Sequence, residues 1–199
     1  KIITGDDSLI KRPIDPLINS LREMGADIIK MDNGSFKISG KKLSGGKVRV
    51  DSSFSSQFES ALILIEPLLS SRLMVSRKGF AVSYPYIEMT RLICKSPLRW
   101  PPESDWSNAW IWICRSTITN QEFLLKGLSK KTLQGDSICM KWSNFFGFEV
   151  QENKLGIQVN QKPSKYKEVK IDFLLCPDLV QVSIAMAILL KIKFSCSGL

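Results

Sequence analysis

The chain is 199 residues long, 44% hydrophobic and 24% charged, which excludes a disordered polypeptide and leaves room for one full-sized domain or two smaller ones. Its 28 Lys and Arg outnumber 19 Asp and Glu, and the net charge of +9 favours anionic partners: nucleic acid, acidic lipid or small phosphorylated metabolites. With no histidine, Ser-His-Asp and Cys-His nucleophilic machinery and most zinc and non-haem iron sites are removed.

Taken in order, residues 2–4 read as a strand leading into a Gly5-Asp6-Asp7-Ser8 turn. Arg12-Pro13 then opens a helix with Leu17, Leu21 and Met24 on one face and Gly25 at its end. Two strands follow, 26–31 and 36–39, joined by the hairpin signal Asp32-Asn33-Gly34. After Gly45-Gly46, a strand over 47–50 delivers the chain to Asp51-Ser52-Ser53-Phe54-Ser55-Ser56-Gln57. There a run rich in hydroxyls turns into an apolar helix, with Phe58, Ala61, Leu62 and Ile65 at helical spacing. Residues 72–76 form the next predicted strand, and Ser83-Tyr84-Pro85-Tyr86 precedes a helix through Ile87, Met89, Leu92 and Ile93. Pro97, Pro101 and Pro102 break the pattern, so a domain boundary is predicted near 97–103, dividing the chain into 1–102 and 103–199.

The second half opens at Ser104-Asp105, a cap for a helix carrying Trp106, Trp110 and Trp112, which reads as core rather than as a platform for stacking bases. A strand over 122–126 follows, then a turn at 132–136 into a helix ending at Phe146-Gly147, and strands over 148–151, 155–159 and 169–173. Asp178 caps an apolar helix that runs to Leu190, before a last strand over 193–196. Leu21–Ile28 and Ser143–Val150 each end a helix at glycine and begin a strand, which argues for a repeated α/β unit of roughly 65 to 75 residues with helices inside and sheets outside.

The five cysteines carry no CxxC spacing and read as reduced core residues of a cytoplasmic protein. No signal peptide is visible, and the longest apolar run, near 182–190, is too short to span a bilayer. The chain begins at Lys1-Ile2 and stops at Ser197-Gly198-Leu199, and both ends read as cut from a longer protein.

Four polar clusters precede or open helices: Lys11-Arg12, Ser55-Ser56-Gln57, Ser83-Tyr84-Pro85-Tyr86 and Pro177-Asp178. The first turn of a helix offers unpaired N–H groups and the positive end of the dipole, so hydroxyl donors there suit a phosphate or carboxylate without a metal. Each cluster has a plainer reading as well: Ser55, Ser56 and Asp178 as caps, Arg12 as a solvated charge, Ser83 as a loop hydroxyl.

In order and spacing these clusters resemble the enolpyruvyl transferases, in particular the branch that acts on shikimate 3-phosphate. The resemblance rests on residues 4–13 and 21–28, on Gly45-Gly46 through Leu62 with Ser55-Ser56-Gln57, on Ser83 through Thr90, on 103–109, on Leu133-Gln134-Gly135-Asp136 and on Pro177-Asp178. It implies repeated βαβαββ units in parts of two lobes, the first holding shikimate 3-phosphate and the second carrying the base. It also implies transfer of the enolpyruvyl group from phosphoenolpyruvate to the 5-hydroxyl of shikimate 3-phosphate, on the route to aromatic amino acids, in a cytoplasmic monomer with no metal or organic cofactor. By position, Ser55, Ser56, Ser83 and Tyr86 would hold shikimate 3-phosphate, Gln57 would contact both substrates, Arg12 would grip phosphoenolpyruvate and Asp178 would accept the hydroxyl proton.

Tyr84 departs from the pattern, standing where the family often has a small residue or lysine, and Leu179 replaces a common alanine. The N-terminal lysine-serine loop and the later lysine-glutamate and arginine motifs of the family lie outside the chain, so the 199 residues alone are expected to be inactive. Competing readings are the transferase that uses UDP-N-acetylglucosamine, a non-catalytic relative, and a basic nucleic-acid-binding module, the last requiring basic residues gathered on one face.

Overall fold

Val48 and Val50 are buried while Lys47 and Arg49 face water, the alternation of a strand with one side on a core; Val169 and Ile171 repeat it between Glu168, Lys170 and Asp172. These two strands mark two units, Lys1–Lys95 and Ser96–Leu199, in a computed structural model that describes residues 1–53, 55–96 and 102–199. The predicted boundary near 97–103 lies mostly outside the described residues.

The first unit contains β1 (Ile2–Ile3), α1 (Asp7–Ile10), α2 (Asp15–Glu23), β2 (Asp27–Lys30), β3 (Phe36–Ser39), β4 (Gly46–Asp51), α3 (Gln57–Ile65), β5 (Leu73–Lys78) and α4 (Tyr84–Lys95). β1, β3 and β2 form an antiparallel sheet, and β4 and β5 a parallel pair with Gly46 opposite Leu73 and Asp51 opposite Lys78. Met24 at the end of α2 and Phe58 and Leu62 from α3 pack with Val48, Val50 and Leu73 from the parallel pair. Burying a side chain such as Leu62, which is fully enclosed, contributes about 1.5–3 kcal/mol.

The second unit contains α5 (Trp106–Thr119), β6 (Phe123–Lys126), α6 (Cys139–Ser143) between two 3₁₀ turns, β7 (Phe148–Asn153), β8 (Gly156–Gln161), β9 (Glu168–Asp172), α7 (Val180–Leu189) and β10 (Lys193–Ser197). β6, β8 and β7 are antiparallel, and β9 and β10 parallel. The order β1-α2-β2-β3-β4-α3-β5 thus recurs as β6-α6-β7-β8-β9-α7-β10, roughly 120 residues later. The run β1-α2-β2-β3-β4-α3 is a cyclic permutation of the expected βαβαββ, with each helix layer set against the inner faces of its strands.

Glycine ends the equivalent helices for a physical reason. Gly25 adopts φ +96°, and Ala26 N–H reaches back to the Leu21 carbonyl at 2.9 Å, a closure that needs a left-handed residue. Gly147 adopts φ +81°, and a Cβ there would meet the Lys162 carbonyl oxygen.

Several local expectations are corrected. The Gly5–Ser8 turn is the start of α1, because the Asp6 carboxylate accepts Leu9 N–H at 2.8 Å and caps it. α2 starts at Asp15 rather than Pro13, since Pro16 occupies the first turn, where no donor is required. Asp178 is not a cap: it lies within a 3₁₀ turn, Pro177–Leu179, and makes no capping hydrogen bond. Trp106 and Trp110 are core, the latter donating to Ser183 Oγ at 3.0 Å, whereas Trp112 is half exposed beneath the Arg115 guanidinium. Cys139 and Cys176 are buried as expected, but Cys196 is exposed.

Candidate active site

Parallel pairing places the ends of β4 and β5 at one edge, and the chain leaves that edge twice to begin a helix. Residues 52–56 lead into α3 and residues 79–83 into α4. Both helices therefore present their first turns, with unpaired N–H groups and positive dipole ends, toward the same margin of the sheet.

Ser56 is the residue preceding α3, is 7% exposed and has helical dihedrals, so its hydroxyl makes no cap bond. Ser55 Oγ instead accepts Gln57 N–H at 3.2 Å. Before α4, Ser83 is held at φ +56°, a left-handed conformation that a serine adopts only when its surroundings impose it. Its carbonyl accepts Tyr86 N–H at 3.0 Å, and Pro85 occupies the first turn of α4. One turn further in, Thr90 Oγ1 donates to the Tyr86 carbonyl at 2.8 Å and lies 3.3 Å from Ser60 Oγ, a hydroxyl contact across α3 and α4. Ser56 and Tyr86 precede that contact by four residues each, one helical turn back toward the common edge.

On the side of α1 and α2, a cavity of about 460 Å³ is lined by Arg12, Ser55 and Gln57, with Ile3, Leu9, Phe36 and Phe58 among its apolar walls. Arg12 is exposed, and its guanidinium makes no hydrogen bond or ion pair among the described residues. Three of the predicted residues thus share one hollow; Ser56, Ser83 and Tyr86 do not line it and stand at the two helix starts instead. At the strand ends, Asp51 accepts from the hydroxyl and N–H of Ser53, which together hold its carboxyl below the usual range, with Lys78 adding attraction.

Asp178 belongs to the second unit. It is exposed, and its carboxylate makes no hydrogen bond or ion pair among the described residues. Its place in the repeat is informative: Gln57 and Asp178 each stand exposed immediately before a buried apolar residue, Phe58 and Leu179, at the turn that follows β4 and β9. Cys176, just before it, is buried, and burial with the Asp136 carboxylate nearby pushes its thiol up to about 12.

Sequence reasoning missed Ser52, Glu59 and Thr90. Glu59 is 1% exposed within the apolar run of α3; an acidic residue directly beside Phe58 on a buried helix was the signal that could have found it.

The sequence profile of EPSP synthase (3-phosphoshikimate 1-carboxyvinyltransferase) matches residues 1–97. The 3-phosphoshikimate 1-carboxyvinyltransferase of Bacteroides fragilis is 31% identical over 99% of this chain and 54% of its own length. That of Photobacterium profundum is 29% identical over 94% of this chain and 49% of its own. The chain spans about half the length of these relatives. Among solved structures, the enolpyruvyl transferase NikO from Streptomyces tendae aligns with TM-score 0.67 at 10% identity, covering 99% of this chain and 53% of its own. EPSP synthase from Acinetobacter baumannii aligns with TM-score 0.57 at 16% identity over 93% of this chain and 46% of its own, and both likenesses bear on the fold. Over residues 1–97 the chain is thus similar to EPSP synthase in sequence, and nearly its whole length is similar to 3-phosphoshikimate 1-carboxyvinyltransferases.

Proposed function

We propose that the whole protein transfers the enolpyruvyl group of phosphoenolpyruvate to the 5-hydroxyl of shikimate 3-phosphate and releases phosphate. The observation that carries this reading is the cavity shared by Arg12, Ser55 and Gln57 beside two helix starts that carry Ser56, Ser83 and Tyr86. Two anionic substrates repel each other, and hydroxyl donors, helix N-termini and a free guanidinium in one unit offset that repulsion.

In this reading the first unit holds shikimate 3-phosphate through Ser55, Ser56, Ser83 and Tyr86, Arg12 binds phosphoenolpyruvate and Gln57 reaches both. As a proton adds to the methylene carbon of phosphoenolpyruvate, the enol carbon becomes electrophilic and the 5-hydroxyl oxygen bonds to it, giving its proton to Asp178 on the second unit; loss of phosphate from that carbon and of a proton from the new methyl group then restores the double bond. Such a base contributes about 10²–10⁴-fold, and holding two reactants together supplies much of the remainder. The protein acts as a cytoplasmic monomer and needs no metal or organic cofactor. No helix among the described residues is long and apolar enough to cross a membrane.

The test is phosphate release by the whole protein with phosphoenolpyruvate and either shikimate 3-phosphate or UDP-N-acetylglucosamine as acceptor. Turnover with the first alone is expected. Turnover only with the second, or with neither, refutes the assignment. The 199 residues by themselves are expected to give no turnover in the same assay.

A further inference from the structure

Behind the two helix starts lies a ring of charged side chains to which the proposed chemistry gives no role. The Glu59 carboxylate, on the first turn of α3, accepts Nε and Nη2 of Arg77 at 2.8 and 2.9 Å, Nη2 of Arg91 at 2.6 Å and the Ser52 hydroxyl at 3.1 Å. Arg91 continues to Glu88 at 2.9 Å, and Glu88 accepts the Tyr84 hydroxyl at 2.7 Å. The Arg77 guanidinium closes the ring, 4.9 Å from the centre of the Tyr84 ring.

The ring joins four elements: the turn after β4 through Ser52, α3 through Glu59, β5 through Arg77, and α4 through Tyr84, Glu88 and Arg91. Apolar packing could hold the same helices with equal stability, because a buried ion pair repays its own desolvation poorly. What planar guanidinium groups add is geometry: Arg77 donates two N–H bonds to one carboxylate in a common plane, and Arg91 bridges Glu59 and Glu88 at a fixed separation. Glu59 lies three residues, about one helical turn, after Ser56, and Tyr84 directly follows the left-handed Ser83. The ring therefore ties Ser56, just before α3, to Ser83, just before α4.

We propose that Glu59 and Tyr84 are positioning residues for the phosphorylated, hydroxyl-bearing substrate, acting through Ser56, Ser83 and Tyr86. The proposal rests on the functional reading above. A ligand that bridges α3 and α4 depends on the ring, whereas one gripped from Arg12, on the far side of α3, does not.

The experiment compares the whole protein with its Tyr84→Phe and Glu59→Gln variants, measuring kcat and the KM of each substrate with the other saturating. The expected result is a KM for shikimate 3-phosphate raised about tenfold, with the KM for phosphoenolpyruvate changed less than about twofold. Tyr84→Phe keeps the aromatic ring over Arg77 and deletes only the hydroxyl, so it reports even if Glu59→Gln fails to fold. Equal rises in both KM values, or no change in either, overturn the proposal while leaving the functional reading in place. A wild-type protein with no dependence on shikimate 3-phosphate overturns both.

Discussion

Arg77 meets Glu59 side by side, its Nε on one carboxylate oxygen and its Nη2 on the other, with the glutamate 1% exposed and the arginine side chain 26% exposed. Deleting the carboxylate takes both ion-pair bonds from Arg77 and one of two carboxylate partners from Arg91. Glu59→Ala is expected to cost about 3 kcal/mol, with the urea midpoint falling and the slope unchanged. An unaltered midpoint would show that Arg77 and Arg91 find other partners without loss.

Arg12→Ala should act on binding and not on folding. The side chain is exposed and bonds to no described residue, so the thermal midpoint is expected to hold. The KM for phosphoenolpyruvate should rise roughly 10- to 100-fold, the scale of a lost charge-assisted contact. A fall in stability with an unchanged KM would remove Arg12 from the site.

Asp178→Asn keeps the shape of an exposed side chain that takes no part in capping α7. It is expected to lower kcat by about 10²–10⁴-fold while leaving both KM values and the midpoint near wild type. A loss confined to KM would make Asp178 a binding residue and not a base.

The hydrogen bond between Tyr84 and Glu88 predicts a dependence of stability on pH at both extremes. Tyr84 and then Arg91 hold the Glu88 carboxyl below its usual 4.5, so the stabilisation is complete above that value and disappears as pH falls through the lowered one. The same bond raises the Tyr84 phenol above its usual 10.0, so its stabilisation is complete below that value and disappears as pH climbs through the raised one. Denaturation of Tyr84→Phe across pH should show a shallower acid limb and a shallower alkaline limb; curves parallel to wild type at both ends would contradict this.

Thiol chemistry should separate the cysteines. Burial, with Asp136 adding to it, raises the thiols of Cys139 and Cys176, while Cys196 is exposed on β10. Mass spectrometry after iodoacetamide treatment is expected to find Cys196 modified in the native state and Cys139 and Cys176 only in denaturant. Native labelling of Cys139 would refute the enclosed core.

The hairpin over β2 and β3 was legible because Asn33 and Gly34 are turn residues by their own chemistry, and Asn33 Oδ1 does accept Ser35 N–H at 3.0 Å. The glycine stops at Gly25 and Gly147 were legible for the same local reason. The mixed 3₁₀ and α turns around α6 were not, since hydrogen-bond spacing there is decided by packing of Phe146 and Cys139 into the core. Of the site, Arg12, Ser55 and Gln57 could be read from motifs and were found lining one cavity. The ring around Glu59 could not: its partners lie 18 and 32 residues away on different elements, and no periodicity connects them.

The matched placement of Gln57 and Asp178 bears on ancestry. If the two repeats descend from one duplicated module, a single exposed corner of that module diverged into an amide in one copy and a carboxylate in the other. On that descent the proton acceptor proposed at Asp178 would need no separate place in the fold: the corner would be present in both copies, and the later task would require only a different side chain there.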